Sequence, residues 1–121
     1  MAKKIVIIED DIDLLETVKI RLEKEGFTVV GASTGIEVVN DIINEKPNLI
    51  LLDLNLPDLD GDIVAQVFQR KEIIEGVPII IMSAKEESEI KAAAAKIKAV
   101  DYLKKPFDQQ LLIQKVKANI K

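Results

Sequence analysis

The sequence predicts an α/β fold, a three-layer α/β/α sandwich built on a five-stranded parallel sheet. Three observations carry that reading. Five short β-branched runs stay apolar throughout instead of alternating in polarity, the mark of strands covered on both faces. Segments of helical length, each with one apolar stripe, separate them. Strand followed by helix, repeated five times, calls for right-handed crossovers that lay helices on both faces of the sheet.

The first strand is expected at residues 5–8. Leu14, Leu15, Val18 and Leu22 then form one stripe, and Gly26 ends it as a helix C-terminal glycine does. A second strand follows at residues 28–30. Residues 31–35, Gly-Ala-Ser-Thr-Gly, lack the lysine and spacing of a phosphate loop and read as a turn and helix cap. Thr34 with Glu37 makes a capping box, and Val39, Ile42 and Ile43 continue that second helix. The third strand is expected at residues 49–52. Ile63, Val64, Val67 and Phe68 mark a third helix, with Gly76 and Pro78 beyond its end. The fourth strand takes residues 77–82, and Ile90, Ala93, Ala94 and Ile97 mark the fourth helix. A fifth strand at residues 100–103 precedes the last helix, whose stripe is Leu112, Val116 and Ile120. Lys115, Lys117 and Lys121 stand near its C-terminus, where the helix dipole favours cations.

Composition narrows the chemistry. At 121 residues the chain is read as one domain over residues 1–121, with no output domain inside it. It has no cysteine, which excludes disulfides, zinc–thiolate sites and thiol nucleophiles. It has no histidine, the commonest general base near neutral pH. Any chemistry must run on carboxylates, hydroxyls, lysines and a metal. Net charge is −4, and neither a basic block nor an aromatic stacking platform stands out, so direct nucleic-acid binding is not expected. The apolar runs are far shorter than a bilayer span and the N-terminus is not a signal peptide. A cytoplasmic protein without membrane contact is the expectation.

The strand ends concentrate the polar residues. In open α/β sheets ligands bind beyond the carboxyl ends of the strands. The loop after the first strand opens with Glu9, Asp10 and Asp11, and the third strand runs into Asp53, followed by Asn55 and Pro57. If those strands are neighbours, several carboxylates meet at one edge, which needs a cation among them or retained protons. Mg²⁺ fits, because it takes a few carboxylates and keeps several waters. Ser83 and Lys85 follow the fourth strand, and Lys104, Lys105, Pro106 and Phe107 follow the fifth. Acids, a hydroxyl and a lysine on one edge suit the binding and transfer of a phosphoryl group. Glu9, Asp10 and Asp11 also suit the N-terminus of the following helix as caps. Asp53 is harder to explain as structure alone, since an acid closing a doubly covered strand carries a desolvation cost.

Four segments together resemble the response-regulator receiver domains: Ile-Val-Ile-Ile-Glu-Asp-Asp at 5–11, Leu-Ile-Leu-Leu-Asp-Leu-Asn-Leu-Pro-Asp-Leu-Asp-Gly at 49–61, Ile-Ile-Met-Ser-Ala at 80–84 and Asp-Tyr-Leu-Lys-Lys-Pro-Phe at 101–107. They occur in the family's order and spacing over nearly the whole chain. The resemblance implies the CheY-like, flavodoxin-type sheet of order 2-1-3-4-5. It implies that Asp53 accepts a phosphoryl group from the phosphohistidine of a histidine kinase or phosphotransfer protein. Asp10 would then ligate Mg²⁺ directly and Glu9 through water, with the Asn55 main-chain carbonyl as a further ligand. Ser83 and Lys105 would bind phosphoryl oxygens, and Tyr102 would turn inward as the aromatic switch. Lys105 would precede a cis proline. Asn55 and Lys85 would flank the path of the hydrolytic water and tune dephosphorylation. A downstream effector would read the surface of the fourth helix, fifth strand and fifth helix. Such a chain is a signalling domain catalysing only its own phosphorylation and dephosphorylation, not an enzyme with a separate substrate.

Several positions depart from the family pattern. Lys98-Ala99 stands where Gly-Ala is usual, and the preceding alanines at 92–95 favour helix, so the fourth helix is expected to run further. Asp101, Lys91 and Lys115 supply parts of a charged dimer face, but Ile97 and Leu111 stand where acids are usual; Leu111 is expected in the core. Rival functions fare worse. A haloacid-dehalogenase-type phosphohydrolase needs a second acid where Asn55 stands. A flavin carrier would meet Glu9, Asp10 and Asp11 where its phosphate loop belongs. A phosphorylation-independent receiver-like interaction module predicts a lost acid or lysine, and none is lost.

Overall fold

A computed structural model describes residues 2–33, 46–55 and 76–121. The expected second and third helices, the Thr34–Glu37 capping box, Pro57 and Gly61 lie outside them. Five parallel strands form one sheet in the order β2-β1-β3-β4-β5: β1 (Lys4–Ile8), β2 (Thr28–Ala32), β3 (Leu49–Asp53), β4 (Ile79–Ser83) and β5 (Asp101–Lys104). The described helices are α1 (Ile12–Lys24), α2 (Glu87–Ile97) and α3 (Gln109–Asn119); the last two are the fourth and fifth helices expected from the sequence.

Side-chain parity along the strands separates two cores. Val6, Ile8, Ile50, Leu52, Ile79 and Ile81 face Ile90 and Ile97 of α2. Ile5, Ile7, Leu49, Leu51, Ile80 and Met82 face Leu15, Val18 and Leu22 of α1, and Leu112, Ile113 and Val116 of α3. Each fully buried Ile or Leu contributes about 1.5–3 kcal/mol, so the central strands are the rigid platform. β1, β3 and β4 are covered on both faces, as expected. The edge strands β2 and β5 also send side chains into both cores but are less completely buried, and each has a neighbouring strand on one side only.

Boundaries shift where pairing continues beyond the apolar residues. β2 runs on through Gly31 and Ala32, opposite Ile7 and Ile8, where the sequence suggested a turn. Gly31 is there because α1 packs close: a Cβ at that position would meet the Leu15 side chain at 3.0 Å. β4 starts at Ile79, while the Pro78 carbonyl already accepts from the Ile50 N–H at 2.9 Å.

The fourth expected helix does not run further. α2 stops at Ile97, and Lys98 takes the left-handed conformation with φ 61°. The N–H groups of Lys98 and Ala99 both donate to the Ala94 carbonyl, and the Val100 N–H then reaches Ile79 to start the β4–β5 pairing. Sheet pairing therefore overrides the helix propensity of the alanines. A lysine in this conformation carries a steric cost that glycine avoids. Lys98→Gly is expected to stabilise the protein by about 0.5–1 kcal/mol, read as a higher urea midpoint. Ile97 is buried against the sheet. Leu111 is not in the core: it is 40% exposed, because Leu112, Ile113 and Val116 take the inward face of α3.

Candidate functional site

β1 and β3 are adjacent, so their C-terminal ends bring the acids together, as the sequence reading required. Glu9 continues the β1–β2 ladder, its N–H donating to the Ala32 carbonyl at 3.0 Å, and its side chain is wholly buried. Asp53 ends β3 opposite Met82 and is 2% exposed. Asp10 lies at the surface. One carboxylate oxygen from each of Glu9, Asp10 and Asp53 lies within 4.8 Å of the others. Asp11 is separate in role: it caps α1, its Oδ1 accepting from the Leu14 N–H at 3.1 Å.

Lys105 is the cation of this cluster. Its Nζ donates to both Glu9 oxygens, at 3.1 and 2.8 Å, and lies 3.6 Å from Asp53 Oδ1. The Lys105 N–H donates to the Ser83 carbonyl at 2.7 Å, which extends the β4–β5 ladder by one step. The Lys105–Pro106 bond is cis, as the resemblance implied. Ser83, also wholly buried, ends β4, and its Oγ accepts from the Lys85 N–H at 3.0 Å. Asp53 Oδ1 accepts from the Asn55 N–H at 3.1 Å.

The electrostatics are unbalanced. Burial pushes the Glu9 carboxyl up to about 7, against the Lys105 hydrogen bonds that pull it down, and Asp53 adds to the rise. One lysine faces three acids. A hard cation with oxygen ligands would supply the missing charge, and the carboxylates of Glu9, Asp10 and Asp53 fit Mg²⁺. Without metal, Asp53→Asn removes one repelling charge and keeps an oxygen for the Asn55 N–H. It should raise stability by about 1 kcal/mol in chelator, measured by urea unfolding.

Tyr102 stands on β5 opposite Ile81, packed at the rim of the α2-side core. Its hydroxyl donates to the Glu87 carboxylate at the start of α2. Lys115 Nζ lies 5.1 Å from its ring centroid, held by Asp101 at 2.8 Å and by the Tyr102 carbonyl at 2.7 Å. Lys104 Nζ donates to the Lys85 carbonyl at 2.7 Å. Glu87 was not singled out from the sequence, and Lys104 was named only as part of the loop after the fifth strand. No local pattern marks them, because their partners lie 15 and 19 residues away.

Solved structures of other proteins share this fold. The chain is similar to a two-component response regulator from Clostridium difficile, with 31% identity, 96% of this chain and 93% of that chain covered, and a TM-score of 0.84. It is similar to a CheY-like response regulator receiver domain protein from Methanospirillum hungatei JF-1, with 29% identity, 98% and 93% coverage, and a TM-score of 0.87. A third likeness is to the receiver domain of a sensor histidine kinase from Pseudomonas aeruginosa PAO1, whose structure has a magnesium ion coordinated in the active-site cleft. There identity is 25%, coverage 98% of each chain, and the TM-score 0.87. Among the described residues no helix is long and apolar enough to cross a membrane. The family model for the response regulator receiver domain matches residues 5–117, and the chain belongs to that family, the receiver domains of two-component signalling.

Proposed function

We propose that Asp53 is the phosphoacceptor of this receiver domain. The observation that carries the reading is the placement of Lys105 Nζ, 2.8 Å from Glu9 and 3.6 Å from Asp53, beside a nearly inaccessible acceptor carboxylate. An Asp53 oxygen attacks phosphorus, the bond from phosphorus to the donor's histidine nitrogen breaks, and that nitrogen leaves with the electron pair. Lys105 and the Ser83 hydroxyl bind equatorial oxygens and offset their charge, a task of positioning that needs no histidine here. Glu9, Asp10, Asp53 and the Asn55 carbonyl would hold Mg²⁺, which would supply further positive charge at those oxygens. Water attacks phosphorus, the bond from phosphorus to the Asp53 oxygen breaks, and inorganic phosphate leaves as the carboxylate is restored; Asn55 and Lys85 tune that step.

A cavity of about 320 Å³ lies beside Lys105, lined by Asp11, Leu14, Ala84, Pro106, Phe107 and Gln109. The donor is a histidine kinase or phosphotransfer protein, and the surface of α2, β5 and α3 carries the signal to an effector protein. The same reading treats residues 1–121 as one cytoplasmic receiver domain whose chemistry is confined to its own phosphorylation and dephosphorylation. Incubation with acetyl phosphate and Mg²⁺, followed by intact mass, should show one phosphoryl adduct in the wild type and none in Asp53→Ala. No adduct on the wild type would support the interaction-module alternative instead.

A further inference from the structure

The segment between Ser83 and α2 is tied to β5 by two side chains. Tyr102 and Lys104, two residues apart, project on the same side of the strand, while Leu103 enters the opposite core. The Tyr102 hydroxyl holds Glu87, and Lys104 Nζ holds the Lys85 carbonyl at 2.7 Å. Lys85 in turn donates its N–H to Ser83 Oγ at 3.0 Å. Any shift of Ser83 and its loop toward Asp53 must therefore disturb these ties. Other charges fix the arrangement: Lys91 stands 3.7 Å from the Glu87 carboxylate, and Lys115 lies over the Tyr102 ring with Asp101 beside it.

We infer that Glu87 is a positioning residue that latches Tyr102 outward and, together with Lys104, sets how readily the loop carrying Ser83 moves at rest. The inference rests on the phosphoacceptor reading above for its consequence, though not for the contact itself. A ligand selects the moved state more readily when the resting state is destabilised, because part of its binding energy no longer goes into breaking the latch.

Tyr102 is the one tyrosine of the chain, and there is no tryptophan, so its phenol is read directly by ultraviolet absorbance. The hydrogen bond to Glu87 raises the phenol above its ordinary value of 10.0, and burial and then the charges of Glu87 and Asp101 add to the rise. In Glu87→Ala, without metal or phosphoryl, the phenol should titrate lower than in the wild type, and Glu87→Gln should fall between them. With Mg²⁺ and beryllofluoride as the phosphoryl mimic, half-saturation in Glu87→Ala should come at about 3–10-fold lower concentration. Glu86→Ala, which removes the same charge from a neighbouring exposed position, should change neither reading.

An unchanged phenol in Glu87→Ala would overturn the latch by showing that the contact is absent. A lowered phenol with unchanged beryllofluoride binding would overturn its role in the switch. Failure of the wild type itself to bind beryllofluoride would overturn the phosphoacceptor reading and the latch's role with it, and the wild-type control separates that case from the other two.

Discussion

Lys105→Ala should destabilise the metal-free protein by about 2–4 kcal/mol at pH 8, since removing one partner strands a buried charge. Glu9 is wholly buried, and its hydrogen bonds come from Lys105 and the Asp11 N–H. With the lysine gone the carboxylate keeps only the backbone donor, and the repulsion from Asp53 goes unopposed. A group in that position takes up a proton rather than stay charged. The cost should therefore shrink well below its pH 8 value at pH 5.5, where Glu9 is protonated in wild type and variant alike. The sign in the wild type follows from the same group. Its folded value of about 7 lies above the ordinary 4.5, so between those limits the folded chain holds a proton that the unfolded chain has released. Glu9 thus costs metal-free stability as pH rises through that window, by up to about 1.4 kcal/mol per pH unit. Glu25 and Glu87 are shifted down and act in the opposite direction, but Glu87 is exposed, Glu25 is only half-buried, and their ion pairs are screened. Urea unfolding in chelator at the two pH values measures the effect; equal losses at both would contradict the role given to Glu9.

Mg²⁺ should reverse the pH dependence. A metal held by Glu9, Asp10 and Asp53 competes with the Glu9 proton, so its affinity should weaken by about tenfold per pH unit below 7 and level off above. Added Mg²⁺ should accordingly raise the wild-type melting temperature much more at pH 8 than at pH 6, by mass action on the folded state. Glu9→Gln should bind more weakly and lose most of this slope. Asp53→Asn should respond to Mg²⁺ less than the wild type at every pH. Calorimetric titration across pH 5.5–8.5 gives all three curves, and a slope retained in Glu9→Gln would assign the proton to another group.

The strands were legible because apolar continuity is local. Residues 5–8 and 49–52 announce doubly covered strands, and an acid placed just after such a run is conspicuous by its desolvation cost. Helix ends were less legible. The alanines before Ile97 argue for a longer helix, yet Lys98 turns left-handed because the chain must meet Ile79 to begin β5. Gly31 resembled a turn for a similar reason: a glycine needed for the approach of Leu15 has the same letter as one needed for a bend. Leu111 read as core because apolar character does not specify a helix's inward face when its neighbours Leu112 and Ile113 are apolar too.

From the sequence alone came the sheet's polarity pattern, the acids at its edge and the candidate roles of Asp53, Ser83 and Lys105, since those depend on residue type and order. Tertiary structure alone decided which charges touch. Lys105 sits closer to Glu9 than to Asp53, Asp11 leaves the acid cluster to cap α1, and Tyr102 is held by Glu87. Coulomb and hydrogen-bond energies turn on a few tenths of a nanometre and on exclusion of water, and both are set only when strand register and helix packing are complete.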